Sequence, residues 1–524
     1  MNRARVASAL IALAVVAVAA EWQDGSLWGR GGFRPEKTNR AFATADGCAL
    51  CHSASERATA NWSATGEDIS PYGLWRGTMM ANAFRDPYWR AQVAREIRVD
   101  PENAAETQAL CLRCHGPMAS HTARLKKEPS PAVSTAGFDP LARDGVSCTV
   151  CHQANPETLG KPESLNGQLD ITLDRKIYGP YEDPVSRPML MHSAYQATHG
   201  PHMRKSDLCG SCHTLVTGHF PEQTPFFEWK NSAYAETTTC QECHMPEVGP
   251  TRIAHNPGGF DFLIEPRKEV RGHAFIGANA FMLRMLREER EDLGVTAPDA
   301  SLKRIENASR QLLGTKTAKL TIGEIKRTDG ELRFDVRVEN QAGHKLPTGY
   351  PSRRVWLRVQ VRQGRSLLLD SGAFDKDGRL TGKQSGHHNE IAQSDQVQVY
   401  ELRAVDAAGK PTTSLLRMSK RALDNRILPR GWRVDGPHVD VTKPMGIGDD
   451  TDFKAGSDTV RFRVPVPEAG RVRVIAWLHY QSIPPPWVDP LREVDAPEAK
   501  IFVEMYDRAD KTPETIATAS RFGE

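Results

Sequence analysis

Cys48-Ala49-Leu50-Cys51-His52 is the first of five copies of the pattern Cys-x-x-Cys-His, and these copies determine how the chain can fold. The other four begin at Cys111, Cys148, Cys209 and Cys240. Together they use all 10 cysteines of the chain. This spacing is the attachment signature of c-type haem, in which both thiols bond to the porphyrin and the histidine becomes an axial ligand of the iron.

The motifs therefore predict five covalently attached c-type haems. The predicted attachment residues are Cys48, Cys51, Cys111, Cys114, Cys148, Cys151, Cys209, Cys212, Cys240 and Cys243. The predicted proximal iron ligands are His52, His115, His152, His213 and His244. Paired Cys-x-x-Cys clusters also bind structural zinc, and cysteines form disulfides. Neither alternative explains a histidine after every second cysteine.

The first 20 residues are typical of a signal peptide. Arg3 and Arg5 precede an uncharged apolar stretch, and Ala17-Val18-Ala19 offers a small-residue cleavage site. The stretch is shorter than a membrane-spanning helix, so we expect a periplasmic or extracellular protein, associated with a membrane only if this segment stays uncleaved. A net charge of +3 in 524 residues gives no reason to expect a nucleic-acid partner.

The chain is expected to be an α+β multidomain protein. Residues 21–275 hold all five motifs and are too few to bury a conventional core around each haem. We therefore predict a loop-rich, α-helical cytochrome domain here, with stacked porphyrins as its core. Helices are predicted at Ala91–Val99, from after Pro101 through Cys111, and at Ser193–Thr198.

A change of sequence pattern follows this segment. Residues 276–315 predict a connector of two helices, the second following Pro298-Asp299 and stopping at Gly314. Residues 316–524 predict a β-sandwich, because β-branched, alternating segments are separated by Gly and Asp turns. The predicted strands are Leu320–Ile325, Leu332–Glu339, Val355–Val361, Ser366–Leu369, Val397–Leu402, Val460–Val466 and Arg471–His479.

Several phrases resemble the multihaem c-type cytochromes related to hydroxylamine oxidoreductase and cytochrome c nitrite reductase. They are Trp75-Arg76-Gly77-Thr78-Met79-Met80-Ala81, Cys240-Gln241-Glu242-Cys243-His244-Met245-Pro246 and His273-Ala274-Phe275-Ile276-Gly277. Gly343-His344-Lys345-Leu346-Pro347-Thr348-Gly349 resembles a motif of β-domains appended to such cytochromes. The resemblance implies haem stacking and electron transfer. The lysine-bearing motif of the nitrite reductase is missing, so neither activity carries over.

The second axial ligands are less constrained by the sequence. Seven further histidines fall in the cytochrome segment: His121, His192, His199, His202, His219, His255 and His273. We expect two of the dense cluster His192, His199 and His202 to be ligands, and we add His255 and His273 as candidates. By resemblance, Met80 occupies the position from which a Trp-x-x-Ser-x-His phrase supplies a distal histidine. It would then raise the reduction potential, or simply pack as flexible apolar filler.

Two hypotheses for the function remain open. The first is an electron carrier whose partners are redox proteins, such as a quinol dehydrogenase or other cytochromes. The second is a multihaem oxidoreductase acting on a small nitrogen or sulfur compound at one open-coordinate haem. His344 could complete a haem across the domain interface or only hydrogen-bond to the backbone.

Overall fold

The computed structural model describes residues 38–524 except 219, 263, 385, 467 and 468. The predicted signal segment and His219 therefore lie outside the described residues. Within the described residues, no helix is both long and apolar enough to cross a membrane. Below, residues 38–275 are called the haem part and residues 316–524 the β part; the domain boundaries themselves stay predictions.

The haem part consists of short helices and two small strand pairs. Helices α1 to α6 are Ala45–His52, Pro71–Trp75, Pro87–Val99, Ala104–His115, Pro117–Lys126 and Val133–Ala136. Helices α7 to α12 are Pro140–Arg143, Cys148–Cys151, Ser186–Ser193, Asp207–Gly210, Pro225–Lys230 and Cys240–His244. Strands β1 (Lys176–Gly179) and β2 (Gln196–His199) pair in parallel, and β3 (Leu215–Thr217) pairs with β4 (Phe220–Gln223) in antiparallel.

Local sequence explains why these helices begin where they do. Proline stands at the first position of several of them, where its missing N–H needs no partner. At α3 the Asp86 carboxylate accepts hydrogen bonds from the Tyr88 and Trp89 N–H groups. The helices predicted near Ala91–Val99 and before Cys111 are confirmed. The helix predicted at Ser193–Thr198 is wrong: left-handed Ala194 ends α9, and the next residues form β2.

Two helices connect the parts, as predicted. They are α13 (Ala280–Glu288) and α14 (Asp299–Lys316). The predicted stop at Gly314 is wrong. A helical glycine costs only about 1 kcal/mol, and buried Leu313 joins the core of the β part, so the helix continues past it.

The β part contains two five-stranded sheets and one three-stranded sheet. One large sheet has the order β10-β15-β7-β5 with β6 on β7, and the other has the order β11-β8-β16-β17 with β9 on β8. Its strands β5 to β9 are Ala318–Ile322, Lys326–Thr328, Glu331–Asn340, Arg354–Gln363 and Ser366–Ser371. Strands β10 to β14 are Glu390–Ile391, Val399–Tyr400, Leu402–Val405, Pro411–Thr412 and Lys420–Asp424. Strands β15 to β17 are Ser457–Pro465, Val472–Gln481 and Glu514–Gly523, and helices α15 to α17 are Val439–Thr442, Pro485–Val488 and Pro497–Arg508.

All seven predicted strands are confirmed, with boundaries shifted by a few residues and the segment Val397–Leu402 divided between β11 and β12. In β7 the apolar residues are buried and Arg333, Asp335 and Arg337 are exposed, which is the alternation expected of a sheet with one solvent-exposed face. A single core cluster takes inward residues from both large sheets, including Phe334 on β7 and Val359 on β8. The mixed α+β class is thus confirmed, while the sandwich arrangement stays a prediction.

The C-terminal helix α17 returns to the haem part, which the sequence did not predict. Phe502 is fully buried and its ring contacts Tyr88 of α3 at 5.1 Å between centroids. Apolar residues of α13 belong to the same core cluster. The two parts are therefore held together by a shared apolar core as well as by the connector.

Candidate functional site

All ten cysteines and all five motif histidines line one connected cavity in the haem part. Its volume is about 1920 Å³, larger than the roughly 300–1,000 Å³ of a typical small-molecule pocket. None of the ten cysteines forms a disulfide. The residues therefore fit the predicted cofactor, because thiols and imidazoles from every motif face a common space large enough for more than one porphyrin.

Each motif lies on a short helix or at its end, which brings its reactive groups together. Residues three and four apart share one face of a helix, so both thiols and the histidine of a motif point the same way. In α12 a capping box fixes the start of the helix: Thr239 N–H donates to the Glu242 carboxylate at 2.6 Å. The spacing of the motif thus places its two thiols and its histidine together, where a porphyrin can attach.

Four of the five motif histidines are oriented by a backbone carbonyl. Nδ1 of His52 lies 2.9 Å from Ile253 O, and Nδ1 of His115 lies 3.0 Å from Ala83 O. Nδ1 of His152 and of His244 make the same contact with Tyr178 O and Ile276 O at 2.6 and 2.5 Å. Because a carbonyl accepts, Nδ1 carries the proton and Nε2 is left with a free lone pair. This is the arrangement that orients metal-binding histidines.

Burial keeps the imidazoles of His52, His115, His152 and His213 neutral. It lowers the pKa of His115 and of His213 to about 4, below the ordinary value near 6.5. Desolvation likewise lowers the pKa of His52 and His152. A neutral imidazole is the form that binds a metal, so these proximal positions are chemically ready at neutral pH.

His273 faces a motif histidine across the cavity. Its ring centroid lies 6.1 Å from that of His152, with an angle of 17° between the ring planes. Burial lowers the pKa of His273 to about 3, so this ring is also neutral. The structure therefore brings the predicted ligand His273 to the third motif.

The other predicted distal ligands are placed differently. His255 is buried in the cavity wall beside motif 1, its backbone N–H donates to Cys51 O at 3.0 Å, and its Nε2 has no partner among the described residues. His192 is exposed and lines the cavity, whereas His199 is exposed and His202 buried, and neither lines it. Nε2 of His202 also lacks a described partner, and its ring packs against Tyr178.

Met80 lines the cavity close to the third motif. Its carbonyl accepts a hydrogen bond from Val146 N–H at 3.0 Å, two residues before Cys148. The neighbouring Met79 also lines the cavity and packs against apolar residues of the connector. Ligation by Met80 stays a prediction.

Contacts between motifs arrange the attachment sites in a branched order. Motifs 1 and 3 meet because α1 packs against α8, and a hydrogen bond with Cys48, followed by burial, raises the pKa of Cys148. Motifs 3 and 4 meet where Cys212 packs into the apolar cluster of Val150. Motif 4 is thus adjacent to motif 3, which is in turn adjacent to motif 1.

Motif 4 also contacts the two remaining motifs. Gly167 N–H donates to Ser211 O at 2.7 Å, and a Cβ on Gly167 would lie 2.8 Å from Cys114 Sγ, so this glycine holds motifs 2 and 4 together. Ser206, which precedes α10, accepts a hydrogen bond from Cys240 N–H at 3.0 Å and so connects motifs 4 and 5. Motif 1 is therefore adjacent to motif 3 and motif 3 to motif 4, while motifs 2 and 5 are each adjacent to motif 4.

The sequence did not single out most of the residues that reach the cavity from the β part. Tyr350, Arg353 and Tyr480 line it, together with the turn around His344. The hydroxyl group of Tyr480 has no hydrogen-bond partner among the described residues. No spacing pattern marks these side chains, because strands and turns far apart in the chain deliver them.

A separate buried cluster lies inside the β part. His387 Nε2 contacts Asp450 Oδ2 at 2.8 Å, and Tyr400 donates to Asp458 Oδ2 at 2.7 Å. Burial raises the pKa of Asp458 from its ordinary value of 3.8 to about 6. The neighbouring charges include His387, which opposes this rise, and Asp450, which adds to it.

We expect Asp458→Asn to flatten the dependence of stability on pH. Because the folded-state pKa is raised, the contribution of Asp458 is complete below pH 4 and is lost as the pH rises through about 6. The loss amounts to about 3 kcal/mol, because a tenfold difference in acid dissociation between the folded and unfolded states corresponds to about 1.4 kcal/mol. Urea unfolding between pH 4 and 7 measures it, with exposed Asp377→Asn as the control. An unchanged slope in Asp458→Asn would contradict this prediction.

A family model described as cytochrome c554 and c-prime matches residues 47–153, the segment that contains the first three motifs. The match supports a multihaem c-type cytochrome. It also supports covalently bound c-type haem and a role in electron transfer. No curated protein matches the chain. A solved structure, the penta-haem cytochrome c552 from Thermochromatium tepidum, is 17% identical, covers 93% of this chain and 100% of its own, and gives a TM-score of 0.49.

Proposed function

We propose that this chain is an exported pentahaem cytochrome that carries electrons between redox partner proteins. The observation that supports it most strongly is the single cavity lined by all ten cysteines and all five motif histidines. Bound haem would supply one-electron redox chemistry. The contacts of motif 1 with motif 3, and of motif 4 with motifs 2, 3 and 5, favour close, stacked attachment sites.

The chain's own residues would bind and orient the five groups. Each pair of motif cysteines would provide the covalent attachment, and the adjacent histidine would provide an Nε2 lone pair. Four backbone carbonyls fix the direction of these imidazoles. His273 and His255 are the predicted distal ligands that the geometry supports best; His192, His199, His202 and Met80 are further proposed ligands.

Export and partners extend this proposal. The segment 1–20 would direct the chain to the periplasm or the exterior, where partners such as a quinol dehydrogenase or other cytochromes would dock. A relation to the hydroxylamine oxidoreductase and nitrite reductase group, with an appended β-sandwich at 316–524, is part of the proposal. The cytochrome domain would span 21–275 and the connector 276–315.

Electron paramagnetic resonance of the oxidised protein tests the proposed role. An electron carrier with two strong ligands on each iron gives low-spin ferric signals alone. A high-spin ferric signal that shifts on addition of nitrite or hydroxylamine would instead favour the oxidoreductase and contradict a pure carrier.

We expect His273→Ala to convert one haem from low spin to high spin, because His273 faces His152 at the spacing of a ligand pair. Visible absorption and electron paramagnetic resonance measure the change in the oxidised protein. His121→Gln is the control, since both ring nitrogens of His121 are engaged, with Ile171 O and with Arg124. If every haem in His273→Ala stays low-spin, the assignment of His273 is wrong.

A further inference from the structure

His344 reaches the cavity from a turn of the β part. The turn lies between β7 and β8, and the ring of His344 faces that of His244 in the fifth motif. The ring centroids are 6.3 Å apart, and the ring planes differ by 17°. The geometry repeats that of His152 and His273, at 6.1 Å and 17°, with the second histidine now supplied from the other side of the domain boundary.

This separation is too wide for direct stacking of the two imidazoles. Elsewhere in the cavity His115 stacks on Trp89 with centroids 4.4 Å apart and planes within 2°. Two metal–imidazole bonds of about 2.0–2.1 Å placed end to end, together with the inner half of each ring, span about 6 Å. The gap between His244 and His344 therefore has the width of one metal ion.

Hydrogen bonding leaves the same nitrogen free on both rings. Nδ1 of His244 lies 2.5 Å from Ile276 O, and Nδ1 of His344 lies 3.0 Å from Lys345 O. Neither Nε2 has a hydrogen-bond partner among the described residues. Each ring can therefore keep its proton on Nδ1 and donate the Nε2 lone pair to a metal.

Buried charges hold the turn of His344 against the haem part. Lys345 N–H donates to Glu228 of α11 at 3.0 Å, and the Lys345 ammonium donates to Asp424 at 2.7 Å. The side chains of Lys345, Asp424 and Glu228 are completely buried. Asn340 also donates to His344 O at 2.7 Å. The turn is therefore fixed on both sides of the boundary between the parts.

We propose that His344 is the second axial ligand of the iron attached through Cys240, Cys243 and His244. This inference rests on the proposed function, because it requires a haem at the fifth motif. A metal centre that begins in the haem part is then completed by the β part. The two parts cannot separate without removing a ligand from that iron, so the β part belongs to the redox unit and is more than an attached module.

His344→Ala in the exported holoprotein tests this proposal. We expect one of five ferric haems to become high-spin, and added imidazole to restore the low-spin spectrum by occupying the vacated position. His438→Ala is the matched control, a β-part histidine that stacks on Phe227 and does not line the cavity. Five low-spin haems in His344→Ala without imidazole would overturn the proposal.

A second variant decides the matter if His344→Ala does not accumulate. His344→Met keeps a ligand atom, and a thioether raises the reduction potential relative to imidazole. A potentiometric titration should show one of the five potentials raised; five unchanged potentials would overturn the proposal. The intact mass of the protein distinguishes a failure of the proposed function from a failure of the His344 assignment. If the unmodified chain carries fewer than five attached haems, the proposed function is wrong. If it carries five, but the spectra and reduction potentials of the His344 variants are unchanged, only the assignment of His344 as a ligand is wrong.

Discussion

Replacing Asp424 with alanine is expected to lower the free energy of unfolding by about 3–5 kcal/mol, the usual cost of removing one partner of a buried ion pair. Its carboxylate lies 2.7 Å from Lys345 Nζ and 2.7 Å from Arg426 Nε. Burial alone would raise the pKa of Asp424, but Arg426 and Lys345 hold it well below its usual range. Without this carboxylate, the buried Lys345 ammonium and Arg421 lose their ion pair with Asp424, and Arg426 keeps only its pair with Glu228 at 3.2 Å.

Chemical denaturation measures the effect, and Asp495→Ala supplies the control. Asp495 pairs with Lys500 at the surface, with side chains 92% and 64% exposed, so its loss should cost far less than the loss of Asp424. Equal losses in the two variants would contradict this prediction. The turn of His344 should also become more mobile in Asp424→Ala, because Lys345 follows His344 in this turn and loses its ion pair with Asp424.

Removing the fourth attachment site is expected to disrupt electron distribution far more than removing the second. The variant Cys209→Ala/Cys212→Ala and the variant Cys111→Ala/Cys114→Ala each lose one haem. Motif 4 contacts motifs 2, 3 and 5, whereas the described contacts of motif 2 lead to motif 4. Loss of motif 4 therefore separates the first and third sites from the others.

Stopped-flow reduction with a small excess of reductant measures this difference. In the motif 2 variant the four remaining haems should be reduced in one connected process. In the motif 4 variant a separate, slower phase should appear, with an amplitude of one or more haems. Because both variants lack one haem, general loss of core affects them alike. Identical kinetics in the two variants would contradict the branched order.

Local patterns in the sequence predict the strands well, and they are also the basis on which the attachment residues are proposed. The strand β7 alternates buried and exposed residues over its whole length, so its pattern survives any neighbouring structure. The motif spacing likewise places both thiols and the histidine of each copy on one helix face. Both predictions depend on a few consecutive residues, and they required no knowledge of the rest of the chain.

Features that depend on residues far apart in the chain could not be predicted from the sequence. His192, His199 and His202 are close in the chain, yet a helix ending at Ala194 and the strand β2 separate them, and His192 alone of the three lines the cavity. His344 lies 100 residues after His244 and still faces it. The packing of α17 on α3 also joins segments far apart. Spacing along the chain carries no information on such pairings.

The central claim is that five haems are covalently attached to this chain, and the mass of the exported protein tests it most directly. Under denaturing conditions, which remove any non-covalent cofactor, mass spectrometry should give the polypeptide plus five haems. A mass equal to the bare polypeptide, or to fewer than five haems, would contradict the account.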